Sequence, residues 1–191
     1  MGDKLKPLLL AIVVLPALAL SWSEARAADD TDSSGEKTMN DFGFLPGKTL
    51  IRHRRLKESM AGSDEWITFD TGYEAWTMLD GAASIDRVFG EIDGEPFEGL
   101  SVRTYDRETG EWTIYWTDSW NTTLREQVRG RFEGDVGTFY GKEEYRGVTY
   151  RMRFLWKDIT DTTARWEQAY QHPETGEWET NWTMDFYEDA E

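Results

Sequence analysis

Two carboxylates, Asp118 and Glu167, and a set of tryptophans are the side chains in this sequence whose types and spacing bear on chemistry. Carboxyl groups buried close together can divide the roles of general acid and general base, so Asp118 and Glu167 are the candidate catalytic residues. Glu167 alternates with Trp166 and Gln168, and the same spacing also lets it face water as an ion pair with Arg165 or Arg153. Other chemistries find less support. The two histidines, His53 and the turn residue His172, stand without the neighbours that a haem or zinc site requires, and the absence of cysteine removes thiolate ligands, thiol nucleophiles and disulfides together. No Gly-x-Ser-x-Gly and no phosphate-cradling glycine loop occurs. The expectation is therefore no metal and no cofactor.

Aromatic residues form the larger constellation. Trp112, Trp116, Tyr150, Met152, Trp156, Trp166, Gln168, Trp182 and Met184 fall at positions that alternation directs inward. An indole offers broad apolar area with one N–H donor, which suits a small hydrophobic or aromatic ligand. The same rings would serve equally as packed core.

The elements that position these residues are strands. From residue 48 onward, runs rich in Thr, Val, Tyr, Phe and Trp are punctuated by Gly, Asp and Asn every ten to fourteen residues. This predicts strands near 48–58, 65–79 (with a break at Gly72), 84–92, 97–106, 111–120, 126–134, 137–145, 148–157, 163–171 and 177–187. Period-two reading gives aromatic faces: Trp112, Ile114, Trp116, Asp118 and Trp120; Val148, Tyr150, Met152, Phe154 and Trp156; Trp178, Thr180, Trp182, Met184 and Phe186. Asn181 falls outward by the same rule. An internal echo, Glu108-Thr109-Gly110-Glu111-Trp112 and Glu174-Thr175-Gly176-Glu177-Trp178, marks two hairpins that solve one turn problem with a glycine. The fold class is all-β, an antiparallel up-and-down β-barrel of about ten strands, because closure hides the aromatic faces and removes edge strands. The charged faces are too dense for an outer-membrane barrel.

The start of the chain reads as an export signal: Lys4 and Lys6, an apolar stretch from Pro7 to Leu20, and Ala25-Arg26-Ala27 as the cleavage site. That stretch is shorter than the roughly twenty residues a membrane helix needs. Three segments follow: a signal peptide at 1–27, a disordered acidic leader at 28–40 and a calycin-like β-barrel domain at 41–191. Cleavage after Ala27 implies a periplasmic or secreted protein with no stable membrane insertion. Removing the first 27 of 191 residues leaves 164, enough for a single buried core. The formal charge of −16 becomes −17 once the signal, with three basic and two acidic side chains, is gone. Such a field repels phosphate backbones, so no nucleic-acid partner is expected. Oligomeric state is left open.

Several segments carry a family resemblance: Tyr105-Asp106 through Trp116, Arg131-Phe132-Glu133-Gly134 through Phe139-Tyr140-Gly141, Arg153-Phe154-Leu155-Trp156, and Arg165-Trp166-Glu167-Gln168-Ala169 with Trp178-Glu179-Thr180-Asn181-Trp182. Spanning Phe44 to Tyr187, they resemble a bacterial family of exported proteins of unknown function with a lipocalin-like, calycin-type barrel. The resemblance implies fold and no particular activity. The Gly-x-Trp of true lipocalins is absent where it would be expected, since Lys48 and Thr49 follow Gly47, and the Gly-x-Trp-x-Gly-x-Gly of haem-binding nitrobindins is missing as well. The function expected is binding of a small hydrophobic or aromatic molecule in the lumen. The alternatives are a lyase or isomerase that uses a barrel carboxylate, on a sugar for instance, and an envelope interaction protein with a filled barrel.

Overall fold

Alternating apolar and polar residues with short turns can bury one face of every strand either by packing two sheets as a sandwich or by curling one sheet on itself, and the chain does the second. The structure, a computed structural model, describes residues 41–45 and 47–188. The export signal and the acidic leader expected at 1–27 and 28–40 lie outside the described residues. Ten strands follow in order: β1 (Gly47–Leu56), β2 (Trp66–Met78), β3 (Ala83–Ile92), β4 (Glu95–Asp106), β5 (Glu111–Asp118), β6 (Arg125–Glu133), β7 (Val136–Tyr145), β8 (Val148–Lys157), β9 (Thr163–Gln171) and β10 (Trp178–Tyr187). Each is antiparallel to the next, and β10 pairs back to β1 through Ile51–Phe186 and His53–Met184, closing a calycin-like barrel without an edge. Strand ends fall within two residues of those read from the sequence. β2 runs unbroken through Gly72.

Turn chemistry accounts for the shared hairpin motif. Gly110 and Gly176 both adopt left-handed φ, +67° and +74°, where glycine avoids the clash a Cβ would meet. In each hairpin the glycine N–H donates to the carbonyl four residues earlier, Gly110 to Asp106 at 2.8 Å and Gly176 to His172 at 2.9 Å. The likeness stops at the strand faces. Trp112 is fully buried inside the barrel, whereas Trp178 sits outside, beside Tyr140 and beneath the guanidinium groups of Arg151 and Arg153.

A β-bulge accounts for the outward turn of Trp178. The register of β10 on β9 shifts between Thr180 and Trp182, so Asn181 is an extra residue. One inserted residue inverts the alternation on its N-terminal side. Trp178 is thereby turned out and Asn181 is turned in, to 2% exposure. Trp120 and Val148 are also exposed, at 58% and 43%, because β5 ends at Asp118 and Val148 opens β8 at the rim.

One end of the barrel is plugged. Residues 41–45 form a turn, Leu45 N–H to Phe42 O at 3.1 Å, which inserts Phe42 among Trp112, Phe132 and Trp156, edge-on to each at 5.0, 5.1 and 5.9 Å. Trp112 Nε1 donates to Asp41 Oδ2 at 3.0 Å and ties the turn to β5. The outer wall carries ion pairs between neighbouring strands, among them Arg52–Asp70 at 3.1 Å and Arg165–Asp185 at 2.6 Å. Such a surface favours water over lipid.

Candidate functional site

Above the plug the barrel is not filled. A cavity of about 100 Å³ lies in the lumen, walled by Trp116, Trp156, Trp166, Trp182, Met184, Phe154 and Gln168. At about 30 Å³ per water this is room for roughly three, somewhat less than the ~150 Å³ of an apolar cavity that admits a benzene ring. Gly99 helps to keep the space open. A Cβ there would lie 2.1 Å from Trp116 Cη2, so only the bare backbone of β4 lets that indole lie flat against the wall.

The floor is polar. Alternation along β3 and β4 directs Ser84, Asp86 and Val88, and Ser101 and Arg103, to the inside. Cross-strand register sets Ser84 opposite Arg103 and Asp86 opposite Ser101. The Arg103 guanidinium donates to the Asp86 carboxylate and, at 3.4 Å, to Ser84 Oγ. Both charges are buried, Arg103 at 4% and Asp86 at 1% exposure. Phe42 of the plug lies against the guanidinium, with its ring centroid 4.9 Å from Cζ, and Trp156 lies 5.9 Å away. Burial pulls the Arg103 pKa down, but the charge and hydrogen bond of Asp86, with Tyr73 assisting, more than reverse this and leave it raised. The Tyr73 hydroxyl is pushed well above its ordinary value, first by burial and then by Asp86. It therefore remains a neutral O–H group.

His53 holds one wall in place. Its ring stacks on Phe69 at 4.5 Å, and Trp182 Nε1 donates to His53 Nδ1 at 3.1 Å. An N–H donor on Nδ1 requires a lone pair there, so the proton resides on Nε2, which donates to Thr71 Oγ1 at 2.8 Å. Burial lowers the His53 pKa from 6.5 to about 4, with Asp70 opposing and Arg55 assisting. An unfolded chain therefore takes up a proton near pH 6.5 that the folded one refuses. Stability from the neutral ring is complete above that pH and is lost as pH falls towards 4, a difference of about 3 kcal/mol. Urea unfolding at pH 7 and 4.5 should show a pH-dependent loss that is smaller by about 2 kcal/mol in His53→Gln. An equal loss in both proteins would contradict this assignment.

Other sequence candidates take different places. Gln168 Nε2 donates to Asn181 Oδ1 at 3.0 Å, so the bulge residue orients a polar group of the cavity wall. Trp112 and Met152 are fully buried, Trp112 against the plug. Tyr150 stacks on Tyr170 at 5.6 Å. The two carboxylates are not brought together. Asp118 accepts from Trp116 Nε1 at 3.0 Å and from the backbone N–H groups of Trp120 and Asn121, which caps the β5–β6 loop. Glu167 lies on the outer wall with Arg165 and Lys157 at 2.9 and 3.0 Å. Burial raises the Glu167 pKa, and the hydrogen bonds and charges of Arg165 and Lys157 outweigh it, leaving a lowered value. Among the described residues, the carboxylate raised by burial is Glu143.

Residue type and spacing do not mark Asp86, Arg103 or Tyr73, and they mark His53 only as a histidine without metal-ligand neighbours. Alternation held the signal for the first pair: Arg103 shares a face with Phe97 and Tyr105, and Asp86 with Val88. Opposite charges on the apolar faces of adjacent strands indicate a buried pair. Among the described residues no three of His, Asp and Glu gather as metal ligands would. No protein-family model matches this chain, and no curated protein matches it either.

Proposed function

We propose that this protein is an exported carrier that holds one small hydrophobic or aromatic molecule in its barrel. One observation carries the reading: four indoles, of Trp116, Trp156, Trp166 and Trp182, border a shared space. Core rings normally fill such space to crystal-like density, and a cavity costs stability in proportion to its volume. A ligand of matching size removes that cost and gains the dispersion contacts the bare rings lack. Support for export comes from the sequence alone, the basic start, apolar stretch and Ala25-Arg26-Ala27 site. The resemblance to a bacterial exported family with calycin-type barrels agrees with both parts of the reading.

Trp182 is the most exacting test. Its indole is held by His53 and meets Trp166 edge-on at 6.0 Å, so Trp182→Ala removes a wall rather than a mobile side chain. Trp182→Ala and Trp116→Ala should each weaken the binding of any lumen ligand at least about 30-fold, read by titration calorimetry, given about 2–3 kcal/mol for a buried aromatic contact surface. Unchanged affinity in both variants would sink the assignment.

A further inference from the structure

The cavity floor has an excess of hydrogen-bond donors. Arg103 Nε and Trp156 Nε1 are buried and have no hydrogen-bond partner among the described residues, and the Tyr73 hydroxyl, within reach of Asp86 and Arg103, makes no well-aligned bond to either. All three side chains line the cavity and are at least nine-tenths buried. Two of the three atoms, Arg103 Nε and Trp156 Nε1, can only donate, and the raised proton affinity of Tyr73 keeps its hydroxyl protonated. Leaving such groups unmet is costly, so the occupant of the floor is a group that accepts.

Charge narrows the choice. Arg103 is already paired with Asp86, so the floor is neutral as it stands. A carboxylate placed there would be an uncompensated buried anion beside Asp86, inside a protein of formal charge −16. A cation finds donors where it needs acceptors. An uncharged carbonyl oxygen meets the donors, brings no charge and has two lone pairs to share. Around it, Trp156, Phe154 and Trp166 present ring faces and edges to an aromatic body.

We infer that the lumen ligand is an uncharged single-ring molecule carrying a carbonyl oxygen, such as an aryl ketone or a quinone, with that oxygen directed at Arg103 Nε, Trp156 Nε1 and the Tyr73 hydroxyl. This rests on the lumen-binding reading above and specifies the chemistry of its ligand.

Calorimetric titration of the purified protein with acetophenone, ethylbenzene and benzoate separates the outcomes. The three probes are of closely similar size and differ in the acceptor and its charge. Acetophenone should bind at least about tenfold more tightly than ethylbenzene, the ratio expected of one or two added hydrogen bonds, and benzoate should bind more weakly than acetophenone. Tyr73→Phe, which removes one hydroxyl and keeps the ring, should narrow the preference for acetophenone over ethylbenzene at least about threefold. Ethylbenzene binding as tightly as acetophenone would overturn the carbonyl inference while leaving the lumen-binding reading intact. Benzoate binding most tightly would replace the carbonyl with an anion. No binding by any of the three would overturn both.

Discussion

Asp86→Ala should lower the unfolding free energy by about 3–5 kcal/mol, among the largest effects of any single substitution in the barrel. The reason is that Arg103, 4% exposed, would be left buried opposite no countercharge. Its remaining side-chain partner, Ser84 at 3.4 Å, carries no charge. An isolated buried cation either draws water into the lumen or forces the floor to open. The paired variant Asp86→Leu with Arg103→Met removes both charges at similar volume and should recover most of the loss, because two buried charges gain little over well-packed apolar side chains. Urea unfolding of the two proteins checks this. Equal destabilisation of the single and double variants would show that removing the unpaired charge recovers nothing, which would contradict the charge argument.

A second large effect is expected at the plug. Phe42→Ala should cost about 3–5 kcal/mol, the range for deleting a buried phenyl ring. Phe42 is 2% exposed and touches rings from β5, β6, β7 and β8, so four strands lose a shared contact at once. The guanidinium of Arg103 also loses the ring against which it lies. The effect therefore reaches the lumen floor as well as the end of the barrel. Guanidinium unfolding monitored by tryptophan fluorescence gives the size. A loss below about 1 kcal/mol, the level of ordinary surface substitutions, would mean that the 41–45 turn is not seated in the barrel.

How far the sequence discloses this protein depends on what kind of signal each feature leaves. Strands and turns leave a local one: alternation over eight to thirteen residues and glycines at positive φ recover all ten strands. A bulge leaves none. The segment from Trp178 to Phe186 alternates faultlessly, yet one extra residue at Asn181 turns Trp178 out and the asparagine in. Six of the expected lumen residues, Trp116, Trp156, Trp166, Gln168, Trp182 and Met184, do border the cavity. Trp112 and Met152 share their alternation but sit at levels of the barrel that the plug and core occupy. Depth along the barrel axis depends on register between strands distant in sequence, which alternation does not encode. Asp118 and Glu167 drew attention as carboxylates beside tryptophans, whereas the buried charge pair lay on strands read only for their apolar residues. His53 gave no local sign of burial, since its partners Thr71 and Trp182 come from β2 and β10.

The central claim is an occupied lumen, and native mass spectrometry of the protein isolated gently from the cells that make it, before and after addition of acetophenone, tests it most directly. One small molecule bound per chain is expected, or acetophenone itself at one per chain once added. A bare chain in both spectra would contradict it and leave a barrel whose interior serves packing alone, with any partner met at its surface.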